Sequence, residues 1–142
     1  MAKKIRTYMI NDVQTELNRL HCKYDMVFHI NGRKCKTVEQ LFAEFKSVLK
    51  FPEYFSSNWD GLDELINDMR WVCAPEKGFV IFVTDADKIL QGDEENFERL
   101  MRILISVPKE WQRINKKNCK IMFHIGRDIE RFKKLNNDSI QF

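Results

Sequence analysis

Three short apolar runs, separated by stretches with the roughly 3.6-residue spacing of amphipathic helices, leave this chain few folds to choose from. Residues 26–30 (Met-Val-Phe-His-Ile), 79–83 (Phe-Val-Ile-Phe-Val) and 119–125 (Cys-Lys-Ile-Met-Phe-His-Ile) have strand length and are rich in β-branched and aromatic side chains. The first is closed by Asn31-Gly32, a dipeptide of tight turns. Thr37 then offers an N-cap oxygen to a helix in which Val38, Leu41, Phe42, Phe45, Val48 and Leu49 share a face, and Pro52 stops that helix. Asn58 can cap a second helix reaching about Met69, with Leu62, Leu65, Ile66 and Met69 on one side. Past a turn at 85–87 and a short helical piece ending at Gln91-Gly92, residues 94–106 are again helical in pattern, and Pro108 is expected to end or kink them. Strands joined through helices pair in parallel, because each crossover returns the chain to the same end of the sheet. The class is therefore α/β with a small sheet. A further helix is expected around residues 13–20, and the tail 127–142 reads as polar and possible helix.

A chain of 142 residues, 44% of them apolar, is long enough for one compact core without covalent staples. No internal repeat, low-complexity stretch or Gly/Ser linker divides it. Lys3, Lys4 and Arg6 are followed by Asn11 and Asp12 and not by an apolar stretch of signal-peptide length, and no apolar run approaches the roughly 20 residues of a membrane span. The expected location is cytoplasmic, with no membrane partner. Cys22, Cys35, Cys73 and Cys119 stand far apart, which fits reduced thiols used in packing. His21, His29 and His124 add no second ligand pair at zinc-site spacing, so neither metal nor cofactor is expected.

The formal charge of +3 conceals an asymmetry along the chain. Residues 1–50 hold 10 Lys or Arg against 5 Asp or Glu, a net of +5. Residues 51–98 hold 3 against 12, a net of −9, and residues 99–142 hold 11 against 4, a net of +7. The field near a surface follows local charge, so the middle third is where a cationic partner would dock. Within it Glu53, Asp60, Asp63, Glu64 and Asp68 fall in residues 51–69 before any Lys or Arg. Asp60 and Glu64 are one helical turn apart, and like charges so placed weaken a helix by roughly 0.2–0.5 kcal/mol. Tyr54 and Trp59 flank them, and both types serve as interface anchors. A purely structural reading also exists: acids in a first turn complement the helix dipole, and Trp59 belongs to the core.

The run Ile30-Asn31-Gly32, the helix over 37–49, Pro52-Glu53-Tyr54-Phe55 and Asn58-Trp59-Asp60-Gly61-Leu62 resemble, in order and spacing, the barstar family of ribonuclease inhibitors. The likeness is strongest over residues 26–71 and centres on Pro-x-Tyr-Phe-x-x-Asn-x-Asp-x-Leu. It implies a three-stranded parallel sheet packed with helices, in a single domain with a core of about 25–126, an N-terminal extension 1–24 and a C-terminal tail 127–142. It also implies that the second helix and the loop before it enter the active site of a basic ribonuclease or related toxin, neutralising it as an immunity protein does. Tyr54, Asn58, Asp60 and Glu64 fall at inhibitory positions, Glu64 standing where the family usually has an aspartate. Gly61, Asp63 and Asn67 complete the candidate toxin-binding set. Asp63 replaces an aromatic residue of the namesake and Ser56 a frequent glycine. Inhibition of this kind is occlusion, so no catalytic residue and no enzyme activity are expected. Two other readings start from the residues. Arg113, Lys116, Lys117, Lys120, Arg127, Arg131, Lys133 and Lys134 make the last third basic, as in a nucleic-acid-binding module. Asp60, Asp63 and Glu64 also resemble paired hydrolase carboxylates, although neither a His nor a Ser/Cys nucleophile and no phosphate loop accompanies them in sequence.

Overall fold

A computed structural model describes residues 5–8, 13–23, 26–68, 79–115, 119–134 and 140–141 of the protein. Its elements are β1 (Ile5–Tyr8), α1 (Val13–Lys23), β2 (Met26–Asn31), α2 (Val38–Leu49), α3 (Trp59–Asp68), β3 (Phe79–Thr84), α4 (Glu94–Glu110), β4 (Cys119–His124), α5 (Glu130–Lys133) and β5 (Ile140–Gln141). The α/β class and the parallel trio β2, β3 and β4 match the sequence reading. The sheet is wider than expected, however, because β1 and β5 extend it to five parallel strands in the order β2-β3-β4-β1-β5. These added strands span only four and two residues, too short for alternation to register in the sequence. They also mean that segments outside the barstar resemblance build part of the same sheet.

Strand β3 explains the layering. All six of its side chains are buried, so both faces of the sheet's interior need cover. Ile81 and Val83 pack into the larger core with Leu41, Phe45, Leu62 and Leu104, contributed by α2, α3 and α4. Val80 and Phe82 point the other way, into a second cluster with Leu20, Met122, Val13 and Leu17, contributed largely by α1. The strand order gives the reason α1 lies on the opposite face. The chain moves one way across the sheet from β1 to β2 and back the other way from β2 through β3 to β4. Right-handed crossovers taken in opposite directions lie on opposite faces.

The cap of α2 agrees with the sequence, whereas the expected end of α4 does not. Thr37 Oγ1 accepts the Gln40 N–H at 3.2 Å while Gln40 Oε1 accepts the Thr37 N–H at 3.3 Å, a reciprocal capping box. Asn31-Gly32 is not a hairpin turn, since a parallel strand follows. It opens a 3₁₀ turn, Gly32–Lys34, with Asn31 Oδ1 accepting the Arg33 N–H at 3.0 Å. Pro108 does not end α4, which runs on to Glu110 and into a π-helical turn, Trp111–Asn115. Packing overrides the lost backbone donor there: Val107, Pro108 and Trp111 are all buried. The Trp111 indole N–H bonds Ile66 O at 2.9 Å, and its ring meets Phe79 edge-on at 4.9 Å. Of the cysteines, Cys35 and Cys119 pack in the core but Cys22 is exposed on α1, and Cys73 lies outside the described residues. Burial pushes the Cys35 thiol up to about 12, with the Glu44 carboxylate adding to the effect, and burial also raises Cys119.

One knot ties the carboxyl ends of β3 and β4 together. The buried Asp87 carboxylate accepts the backbone N–H groups of Gly126, Arg127 and Asp128 at 2.9, 3.1 and 3.1 Å. Arg131 is also buried, which removes it from the basic set that a nucleic-acid-binding module would use. Its guanidinium donates to Asp87 O at 2.9 Å, to Leu90 O at 2.8 Å and to Ile89 O, and it lies 3.6 Å over the Phe97 ring. This grip reaches Leu90, left-handed at φ 50°, while Asp85, left-handed at φ 47°, is held by its N–H bond to His124 Nδ1 at 3.1 Å and by Arg33; such conformations cost on the order of 1–3 kcal/mol each outside glycine.

Burial raises the Asp87 carboxyl, but the three N–H donors of residues 128, 126 and 127 outweigh it and hold the group below the usual carboxylate value. A depressed folded-state value contributes stability that is complete above the unfolded value of about 4 and is lost as pH falls through the lower folded value. Asp87→Asn is therefore expected to lose about 1–3 kcal/mol at neutral pH, with the gap to wild type closing below pH of about 4. Urea unfolding of both proteins across that range checks it, and a gap independent of pH would contradict the assignment.

Candidate functional site: an acidic loop and helix

The loop between α2 and α3 is shaped by its own backbone. Lys50 ends α2 in left-handed conformation at φ 56°, and the Phe55 N–H closes a turn on Pro52 O at 3.0 Å. Ser57 is left-handed as well, at φ 52°, which aims Asn58 at the start of α3. Asn58 Oδ1 accepts the Gly61 N–H at 2.6 Å and its Nδ2 donates to Ser56 Oγ at 3.0 Å, so Asn58 both caps the helix and braces the loop. Gly61 fits closely: a Cβ there would lie 3.1 Å from Asn58 Oδ1 and 3.2 Å from Ser56 Oγ, so these loop side chains would have to give by a few tenths of an ångström.

Beneath this loop is an aromatic floor. Phe51, Phe55 and Phe42 are buried and meet edge-on, at 5.0 Å for Phe51–Phe55 and 6.0 Å for Phe42–Phe55. Trp59 is half-buried and packs on Phe42 at 5.1 Å, so it supports the site from below. Leu62, Leu65 and Ile66 turn the inner face of α3 into the core. The polar face remains outside: Asp60, Asp63 and Glu64 are exposed, and Tyr54 is 72% exposed, against the trend for a ring of its size.

All seven candidate residues thus lie in one loop and one helix, but they do not play equal parts. Tyr54, Asp60, Asp63 and Glu64 present their side chains to solvent. Gly61 offers no side chain and lies close under the Asn58 and Ser56 side chains. Asn67 is half-buried and folds back, its Nδ2 donating to Asp63 O at 2.9 Å and to Asp63 Oδ1 at 3.0 Å, which restrains the Asp63 carboxylate. Met69 and Trp71 lie outside the described residues.

Two arginines belong to this site that the sequence reading did not place in it. A cleft of about 560 Å³ between α3 and α4 is lined by Asn58, Trp59, Asp60 and Asp63 on one side and by Arg99, Arg102 and Ile103 on the other. Arg99 reaches Glu95 at 4.0 Å on its own helix, an exposed contact worth little. Their spacing to Leu100 and Leu104 in the sequence marks both arginines as outer-face residues of α4, yet only the packing of α4 on α3 brings them opposite the acids. Glu53 similarly gains a cation, Lys46 Nζ at 3.7 Å from α2. The cleft lining, among the described residues, has no His, Ser or Cys to act as base or nucleophile. No three His, Cys, Asp or Glu side chains cluster as metal ligands among the described residues. No helix among them is long and apolar enough to cross a membrane.

The family profile of barstar, the barnase inhibitor, matches residues 25–125. The chain belongs to the barstar family, a family of inhibitors. Among solved structures, it is similar to a chain of "Structure of Drosophila ORC bound to DNA" at TM-score 0.55 and 14% identity, covering 98% of this chain and 81% of that one. A chain of "Structure of Drosophila ORC bound to GC-rich DNA and Cdc6" aligns at TM-score 0.50 and 15% identity, covering 97% of this chain and 45% of that one. At such identities these likenesses concern the fold alone. No curated protein sequence matches the chain.

Because Asn58 satisfies an N–H at the start of α3 and a hydroxyl of the loop, Asn58→Ala is expected to destabilise the fold by about 1 kcal/mol. A lowered urea midpoint with unchanged slope would show it, and an unchanged midpoint would remove the cap from the account.

Proposed function

We propose that this chain is an inhibitor that occludes the active site of a basic ribonuclease or related toxin with the 51–58 loop and helix α3, protecting the cell whose cytoplasm holds it. The observation that carries the reading is the pair Asp60 and Glu64, exposed one turn apart on a capped helix whose other face is locked into the core. A ribonuclease gathers cations to hold an RNA phosphate, and carboxylates on a rigid helix can take the phosphate's place through charge-assisted hydrogen bonds. Tyr54 supplies exposed ring area beside them, and Asp63 stands ready with its carboxylate steadied by Asn67. Membership of the barstar family supports the same mode of action. The target matched to this site is not purely cationic, because Arg99 and Arg102 face the acids across the cleft. An acid/base nuclease carries a carboxylate among its cations, and that carboxylate is the natural partner of the arginines.

Asp60→Ala and Glu64→Ala are each expected to weaken inhibition by roughly 2–5 kcal/mol, the range for truncating one member of a buried charge pair, to which the family's namesake complex itself contributes. The measurement is inhibition of a panel of basic ribonucleases and ribonuclease toxins, barnase included. Wild-type potency in the double variant would displace the site, and no inhibition of any member by the wild-type chain would remove the function. Arg102→Glu gives a separate reading of the cleft: weaker inhibition is expected, whereas tighter inhibition would mean that the target places only cations there.

A further inference from the structure

A second concave site lies away from the acidic cleft and shares no residue with it. Two turns build it, the 3₁₀ turn Gly32–Lys34 after β2 and the 3₁₀ turn Ala86–Lys88 after β3. Between them is a pocket of about 550 Å³ lined by Arg33, Lys36, Lys88 and Gln91. An adjoining hollow adds Lys34 and Gln40 on the side of α2. The charge balance is positive even after the nearby acids are counted. Asp85 is occupied by Arg33, Oδ2 to Nε at 2.8 Å, and Glu44 in the adjoining hollow accepts the Asn31 N–H at 2.9 Å. Lys36 and Lys88 make no ion pair among the described residues, and neither does Lys34.

The walls are held rigidly. Gly32 sits so close to the chain after β3 that a Cβ would stand 2.6 Å from Thr84 O, and closer still to Asp85 O. The Leu90 N–H bonds Cys35 O at 2.9 Å, which ties the strap after the second turn to the strap after the first. Arg131 grips Asp87, Ile89 and Leu90 from behind through their carbonyls. The two left-handed residues of this region, Asp85 and Leu90, bracket the pocket residue Lys88. Strained backbone that the surroundings over-determine collects at ligand sites, where it fixes the groups that make contact.

We propose that this pocket is an anion site for a compact, multiply charged phosphate ester of the size of a nucleoside diphosphate. Lys36 and Lys88, on or beside the two turns, supply mobile point charges for such a group, and Arg33, whose Nε is held by Asp85, offers its remaining planar donors. Gln91 supplies a neutral donor and acceptor for the non-phosphate part. The volume is in the range of small-ligand sites. An extended nucleic-acid backbone is the poorer fit, because the cations converge on one hollow and do not form a stripe.

The test is calorimetric titration of the full chain with inorganic pyrophosphate, with ADP and with a short single-stranded RNA, alongside amide chemical-shift mapping. Saturable binding of pyrophosphate and ADP is expected, with shifts centred on residues 32–36 and 86–91 and affinity falling as salt rises. Lys36→Glu/Lys88→Glu should weaken it by about tenfold or more, and Lys36→Gln, at an exposed position, by less. Asp60→Ala/Glu64→Ala should leave it unchanged, which keeps this site independent of the inhibitory one. Absence of saturable pyrophosphate and ADP binding would overturn the proposal, as would equal binding by a folded Lys36→Glu/Lys88→Glu variant. RNA binding with shifts spread beyond the pocket, unaffected by pyrophosphate, would overturn it in favour of a nucleic-acid surface.

Discussion

Burial of β3 on both faces is the constraint from which the rest of the molecule follows. A strand with six buried side chains cannot lie at an edge or face water, so helices must cover it from either side. The chain meets this demand by reversing direction across the sheet, which sends α1 to one face and α2, α3 and α4 to the other. Everything that gives the protein chemical character then sits on the rims of that sandwich: the acidic helix outside the larger core, and the basic turns at the carboxyl ends of β2 and β3.

The two rims are made rigid by different means. Helix α3 is short, and its acids repel, so its N-terminus relies on the Asn58 cap and on the aromatic floor under Trp59. The basic turns rely on buried polar groups, with the Asp87 carboxylate filling a cradle of three N–H donors and Arg131 filling a cradle of carbonyls. Each buried charge is satisfied by several partners, which is what makes it tolerable in the interior. Opposite charges thereby coexist on one small chain without collapsing onto each other, which the modest net charge of +3 would not suggest.

Much of this was legible in the residues. Apolar runs located three strands, Thr37 and Asn58 were readable as caps, and the barstar motif located the acidic loop and helix. What escaped did so for identifiable reasons. Strands β1 and β5 are shorter than one alternation pattern needs, and their partners are distant in sequence. Pro108 argued for a helix end or kink, but α4 runs on past it, where Val107, Pro108 and Trp111 are all buried. Arg131 looked like one more surface cation, because nothing local reveals that three carbonyls some forty residues earlier await it. The charge tally of residues 51–98 also stopped one residue short of Arg99, which shares the cleft with the acids it was meant to describe.

Sequence alone determined the helix caps and the acidic character of residues 51–69, and, through the alternation of strand and helix patterns, the α/β class and its parallel pairing: periodicity, capping oxygens and local charge are short-range properties. Tertiary structure alone decided which face α1 covers, that α4 sets two arginines against the acids of α3, that Arg131 is a buried clamp, and that cations from two separate turns converge on one hollow. Those features join residues tens of positions apart, and only the packing of elements against the sheet brings such residues within contact distance.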